Sequence, residues 1–315
     1  MFRLLLRAGL RFVLTAFVAS VVIFALLRLI PGDPAAIALG VNATDELILQ
    51  KQAELGTDRP LLLQYLTWIG GFFTGHWGVS MQSGEDITPI VWDRLQVSLI
   101  LMGCSMTLAL IIAVPLGMWA AIRRHRADGV AITALSQVGV AVPSFLAGIL
   151  LVTIVSVRWG LLPANGWVPP NADPAGFIAR LILPTMALAS VQAAIMTRYV
   201  RSAVLDVLHQ DFMRTALAKG MTVWQAMRAH GLRNAALPVV TVTGMQMAAL
   251  IVGAVVIERV FVLPGVGSYL LDAVSGRDLT AVQSVVMVLV LITLLTTFIV
   301  DLSYSLLDPR IRAGR

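Results

Sequence analysis

Six stretches of this chain are apolar enough, for long enough, to cross a bilayer, and that leaves few folds open to it. About 20 apolar residues span the hydrocarbon layer as a helix. In lipid the backbone N–H and C=O groups must be satisfied within the protein, so such stretches become helices packed on one another. The six run Phe12 to Ile30, Val97 to Ile122, Val130 to Val157, Ala179 to Thr197, Leu237 to Phe261 and Ala281 to Leu307. The fourth is short, with Arg180 at its edge. Pro115, Pro143 and Pro184 fall inside the second, third and fourth, which predicts kinks where neighbouring helices satisfy the freed carbonyls. The expected fold is all-α, with six transmembrane helices.

Composition agrees. Only 13% of the 315 residues are charged, against about 25% in a soluble domain. That is too little charge to clothe a soluble surface. The net charge of +6 comes mostly from arginine, the only lysines being Lys51 and Lys219. These cations cluster beside the apolar runs, which points to membrane orientation and away from nucleic acid. The single cysteine, Cys104, lies inside an apolar run and is read as a small hydrophobe. Arg3, Arg7 and Arg11 precede an apolar run too long for a signal peptide, so the first stretch is read as a retained span.

Orientation follows from the cations. With the N-terminus inside, the inner segments hold Arg3, Arg7, Arg11, Arg123, Arg124, Arg126, Arg198, Arg201, Arg214, Lys219, Arg228, Arg233, Arg310, Arg312 and Arg315. The others are Arg28, Lys51, Arg59, Arg94, Arg158, Arg180, Arg259 and Arg277. Excess cations inside predict both termini in the cytoplasm. The chain then divides into residues 1–30 (N-terminal end and first span), 31–96 (a long extracytoplasmic segment) and 97–315 (five spans). In the outer segment Thr44 is placed to cap a helix ending before Gly56. A second apolar, aromatic-rich stretch runs from Leu61 to Phe73 and is too short to span. It lies along the interface or packs on other spans.

The inner segment 198–236 is too polar for a span and too patterned for a linker. Asp211 is placed to cap a short helix over Phe212 to Lys219, and Gly220 is its left-handed stop. Thr222 and Gln225 have the spacing of a capping box opening a second helix. Its predicted face is Val223, Ala226, Met227 and His230, with Pro238 beginning the next span. A capped helical pair with an apolar, basic surface under a membrane reads as a docking element; the alternative is a loop resting on lipid.

A family resemblance enters on these residues. Arg214-Thr215-Ala216-Leu217-Ala218-Lys219-Gly220 resembles the EAA-loop signature of ABC importer permeases. Ala216 and Gly220 match its general pattern; Arg214 and Thr215 depart from it, in the form familiar from the peptide/nickel branch. The stretch from His230 through Arg233 and Asn234 to Pro238 is similar to that branch too. So are Pro31-Gly32-Asp33-Pro34, Leu55-Gly56, Asp58-Arg59-Pro60, Gln64-Tyr65, Pro264-Gly265-Val266-Gly267, Asp301 to Tyr304 and Leu307 to Arg312. The order resembles the B-type dipeptide and oligopeptide permeases.

The resemblance implies a type I ABC importer permease fold in a bacterial inner membrane. It implies a second homologous permease, two cytoplasmic ATPase subunits and an extracytoplasmic substrate-binding protein as partners. The coupling-loop residues would be Asp211, Phe212, Arg214, Thr215, Ala216, Lys219, Gly220, Thr222, Met227, His230, Arg233 and Asn234. The cargo would be peptides, with nickel, metal chelates or glutathione as the alternative.

Other chemistry finds little support. Lys51 follows Gln50 and Lys219 follows Ala218, so neither belongs to a phosphate-cradling P-loop. ATP and magnesium are expected on the partner ATPases, and no cofactor on this chain. His76, His125, His209 and His230 are scattered, and no metal site is expected. Glu258 sits near the end of span five, as a gate residue or as an anchor paired with an arginine; nearness to water favours the anchor. Gly244, Ala248, Ala249 and Gly253 put small residues at helical spacing in that span and permit close helix approach, to a partner or to the chain's own bundle. Gly244, Ala248 and Gly253 join Glu258 as the possible gate or pathway residues. A stand-alone secondary transporter would call for repeated halves and buried ion-coupling residues, and neither is visible. An intramembrane enzyme would need convergent catalytic groups, and a pure scaffold leaves the capped loop unexplained.

Overall fold

The structure is a computed structural model describing residues 2–40 and 43–307, without the side chains of 2–5, 301 and 304–307. The Asp308-to-Arg312 motif and the side chain of Asp301 lie outside the described residues. In chain order the helices are α1 (Phe2–Arg28), α2 (Pro34–Leu39), α3 (Asp45–Leu55), α4 (Leu61–Phe73), α5 (Ile87–Ile122), α6 (Ala127–Ala141), α7 (Ser144–Leu151), α8 (Pro174–Leu208), α9 (Asp211–Ala218), α10 (Val223–Ala226), α11 (Leu232–Val260), α12 (Val266–Ser275) and α13 (Leu279–Leu307). Among the described residues five helical stretches are long and apolar enough to cross a membrane, and α6 with the helix from Ser144 to Arg158 can supply a sixth.

That sixth span differs from a kinked rod. α6 and the helix from Ser144 to Arg158 meet at 96°, because Val142 and Pro143 leave the helical conformation. Proline cannot supply the N–H a continuous helix needs, and it biases the preceding residue toward extended backbone. Pro115 and Pro184 lie within unbroken α5 and α8. The fourth span is also longer than its apolar run. Thr197, Val200, Ala203, Val204 and Val207 continue a buried face past Arg198 and Arg201, so α8 runs on to Leu208. Asp173 caps its other end, accepting from the N–H groups of Ala175 and Gly176.

The chain forms two compact units. One comprises 1–5, 98–264 and 296–315, and α8 is its hub. A Cβ at Gly117 of α5 would come within 2.7 Å of Val200, at Gly139 of α6 within 2.8 Å of Ala194, and at Gly253 of α11 within 2.9 Å of Leu188. Lipid tails are as apolar as leucine, so close packing of this kind supplies much of the helix association in a bilayer.

The other unit comprises 6–97 and 265–295. Here α4 packs on α1: Tyr65 and Ser20 share a 2.8 Å hydrogen bond, and Phe24 meets the rings of Tyr65 and Trp68. Its other face leaves Leu62 and Phe73 exposed, so α4 is packed along one side and presents an apolar side outward. Thr44 caps α3, which stops at left-handed Gly56, as expected. Asp278, buried, accepts from Ser80 Oγ at 2.5 Å, Met81 N at 3.2 Å and Ala281 N at 3.0 Å. It thus ties the loop before α5 to the start of α13. Asp86 caps α5 through the backbone N–H of Thr88, and this bond with the Thr88 side chain holds its carboxyl below the usual range. Burial, then the Asp278 charge, pushes the Tyr269 phenol up, partly opposed by Arg94, whose guanidinium lies 4.9 Å from the ring centroid.

Candidate coupling site

Two short helices and one glycine build the polar loop after α8. α9 begins at Asp211, but Asp211 does not cap it. Gln210 holds the cap position and makes no side-chain bond, and Asp211 lies in the first turn, where its charge faces the positive helix end. The Arg214 guanidinium is 3.6 Å from Asp211, with both side chains exposed. Gly220 has a φ of 86°, and the bonds from its N–H to Leu217 and from Met221 N–H to Ala216 close the helix end.

The capping box forms in full. Thr222 Oγ1 accepts from Gln225 N, and Gln225 Oε1 accepts from Thr222 N. The helix it opens does not stop before the next span, however. α10 passes through a π-helical turn at Met227–Gly231 directly into α11, and Pro238 sits inside α11. The wider turn shifts the register. Ala226 and Met227 are fully buried, whereas His230 faces outward, off the face that a regular helix would give it.

The loop therefore has two faces. Met213, Ala216, Ala226 and Met227 point inward, packing with Met118 and Ala121 of α5, Val200 to Val207 of α8 and Ala235 of α11. Outward face Phe212, Thr215, Lys219, Met221, His230, Arg233 and Asn234, which line an open cleft of about 630 Å³ with Ala216 and Ala229. Its ionisable groups are Lys219, His230 and Arg233, so the cleft favours acidic or polar groups. Asn234 Nδ2 donates to the His230 carbonyl, which fixes that rim. Of the twelve expected loop residues, Ala216 and Met227 thus anchor the element, and the other ten are exposed.

The expected gate residues lie elsewhere. Glu258 is fully buried on α11 and accepts a 2.6 Å bond from Ser98 Oγ of α5. A Cβ at Gly244 would strike Val300 of α13, and Gly253 abuts α8. The small residues on which the sequence left two readings thus serve close approach within the chain's own bundle at these two positions. Ala248 is half-buried. Ser98 and Asp278 had no marker in the sequence; each binds a group far away along the chain.

Residues 113–313 match the family described as "Binding-protein-dependent transport system inner membrane component", and residues 1–102 match its N-terminal companion. The chain belongs to this family. The permease fold expected from the sequence holds: a nearly all-helical chain of five or six apolar spans, placed as a multi-pass protein of the inner membrane. Membership also implies assembly with other components of an ABC transporter. The permease is 37% identical to "Dipeptide transport system permease protein DppB" of Escherichia coli K12, over 92% of each chain. It is 36% identical to "Probable peptide ABC transporter permease protein y4tP" of Sinorhizobium fredii, over 93% of this chain and 94% of that one. A solved structure described as an amino acid ABC transporter with histidines has a TM-score of 0.51 at 16% identity, over 69% of this chain and 94% of that one, and supports the fold alone.

Proposed function

We propose that this chain is one permease subunit of an ATP-driven importer that moves dipeptides and oligopeptides across the cytoplasmic membrane. The observation that carries the reading is the α9–Gly220–α10 element, packed inward by Met213 and Met227 and basic outward, and continuous with the span α11. A stiff lever of this form converts movement of a docked partner into movement of a helix. The relatives are named for peptides, which supports peptide over nickel, chelates or glutathione as cargo.

On this reading both termini lie in the cytoplasm, as the arginine bias supports. A second, homologous permease completes the path, two ATPase subunits dock on the cleft beside α9, and a binding protein delivers cargo to the outer face. This chain hydrolyses no ATP, since it has no Gly-Lys-Ser/Thr cradle. Mild-detergent purification of the tagged chain is expected to recover a second permease and Walker-motif ATPases. Liposomes holding that complex should take up peptide only with binding protein and ATP. Recovery of the chain alone, still moving solute without ATP, would overturn the reading in favour of a secondary transporter.

A further inference from the structure

The aromatic pair Trp119–Trp224 belongs to neither the outward cleft nor the buried methionine cluster's core. Trp224 of α10 meets Trp119, one turn before the end of α5, with ring centroids 5.7 Å apart and planes at 53°. Trp119 has further partners in the α5–α6 turn. Its Nε1 donates to Asp128 Oδ2 at 2.9 Å, and the Arg123 guanidinium lies 4.5 Å from the ring centroid. Arg123 itself donates to Asp128 Oδ2 at 2.6 Å. Asp128 Oδ1 accepts from Gly129 N at 3.0 Å, and any Cβ on Gly129 would strike the Arg123 carbonyl. The α5–α6 turn is therefore tied to Trp119 by these contacts, while the indole itself stays partly exposed, at 38%.

We propose that Trp119 and Trp224 form a strut that carries movement of the docking loop to the α5–α6 hairpin, making both positioning residues for transport. The inference rests on the importer reading above. α10 already pulls on α11 through the continuous backbone. The buried cluster that α9 and α10 share with Met118 and Ala121 already joins the loop to α5. The strut adds a second side-chain contact, which alone continues through Asp128 and Arg123 into the α5–α6 turn that the backbone reaches only by way of α8. A planar ring with two rotatable bonds suits the task, since it loses little freedom when held. Trp119 near a helix end could instead serve as an interfacial anchor. An anchor and a strut differ in measurable ways: independent anchors act separately, whereas two ends of one strut fail together.

The test uses the whole complex in liposomes, measuring ATP hydrolysis and peptide uptake together. Trp119→Ala and Trp224→Ala are each expected to lower peptide moved per ATP by about tenfold, with ATPase recovery and unstimulated hydrolysis within about twofold of wild type. The double variant should be no worse than the worse single one. Uptake per ATP within about twofold of wild type in both single variants, or a double loss equal to the product of the singles, would overturn the strut. If the alanine variants fail to assemble, Trp224→Leu decides, since it fills the apolar space without a ring. The same loss supports the strut, and wild-type coupling overturns it. Wild-type uptake that needs no ATP would overturn the importer reading and the strut with it, and is read on the unmutated complex, so the two failures are distinguishable.

Discussion

Gly220 and Val262 sit just past helix ends with φ of 86° and 52°, and only one of them is suited to it. A side chain in this left-handed region costs about 1–2 kcal/mol. Gly220→Val forces that cost onto the α9–α10 turn, where relaxation would shift α9 against α10. The expected result is ATP hydrolysis retained and uptake lost; normal uptake would mean the loop tolerates another turn. Val262 is the reverse case. Its side chain is largely exposed and has little packing to lose, while the Leu263 N–H closes on the Glu258 carbonyl at 2.8 Å. Val262→Gly relieves the strain and adds about 0.5–1 kcal/mol of backbone entropy cost. The net should be a stabilisation of about 0.5–1 kcal/mol, seen as a raised Tm in detergent. A lowered Tm would show that the valine is held by contacts worth more than its strain. Gly220 and the Thr222–Gln225 box were legible in the sequence because a cap is made among neighbours. Ser98 and Asp278 were not, because their partners lie 160 and up to 198 positions away.

At the scale of elements, Asp278 does what no short-range signal announces. It satisfies the N-terminus of α13 and holds the Ser80–Met81 loop at the same time. Asp278→Ala leaves buried donors without an acceptor, at a cost of about 2–4 kcal/mol. Hydrogen exchange at the Met81 amide should rise in that variant with little change at the far end of α13; an unchanged Met81 amide would show that the loop is held by other contacts. Two element boundaries also escaped the sequence. Pro143 announced a kink, but not that Val142 leaves the helix with it and that α6 meets the helix from Ser144 to Arg158 at 96°. The π-helical turn at Met227–Gly231 has no composition of its own, so α10 read as a separate helix. Its consequence is mechanical, since α10 and the apolar helix α11 are one continuous helix.

For the whole molecule, the arginine distribution makes a prediction independent of any partner. With Cys104 replaced, Ser83→Cys should react with an impermeant thiol reagent on intact cells, and Ala218→Cys only after the membrane is opened. Both positions are exposed, so access to reagent depends on the side of the membrane. The opposite pattern would invert the topology and place the basic cleft where no cytoplasmic ATPase could reach it. The sequence by itself determined the apolar segments, the caps of α3 and α10, the Gly220 stop and the family, because each is written in neighbouring residues or in a local order of motifs. Only the tertiary structure decided which faces of the spans meet, that Glu258 is buried against Ser98, and that Gly244 and Gly253 serve the chain's own bundle. The reason is the solvent. In water a helix advertises its inner face by contrast with a polar outer one, whereas in lipid both faces are apolar and the contrast that sequence reading depends on is largely absent.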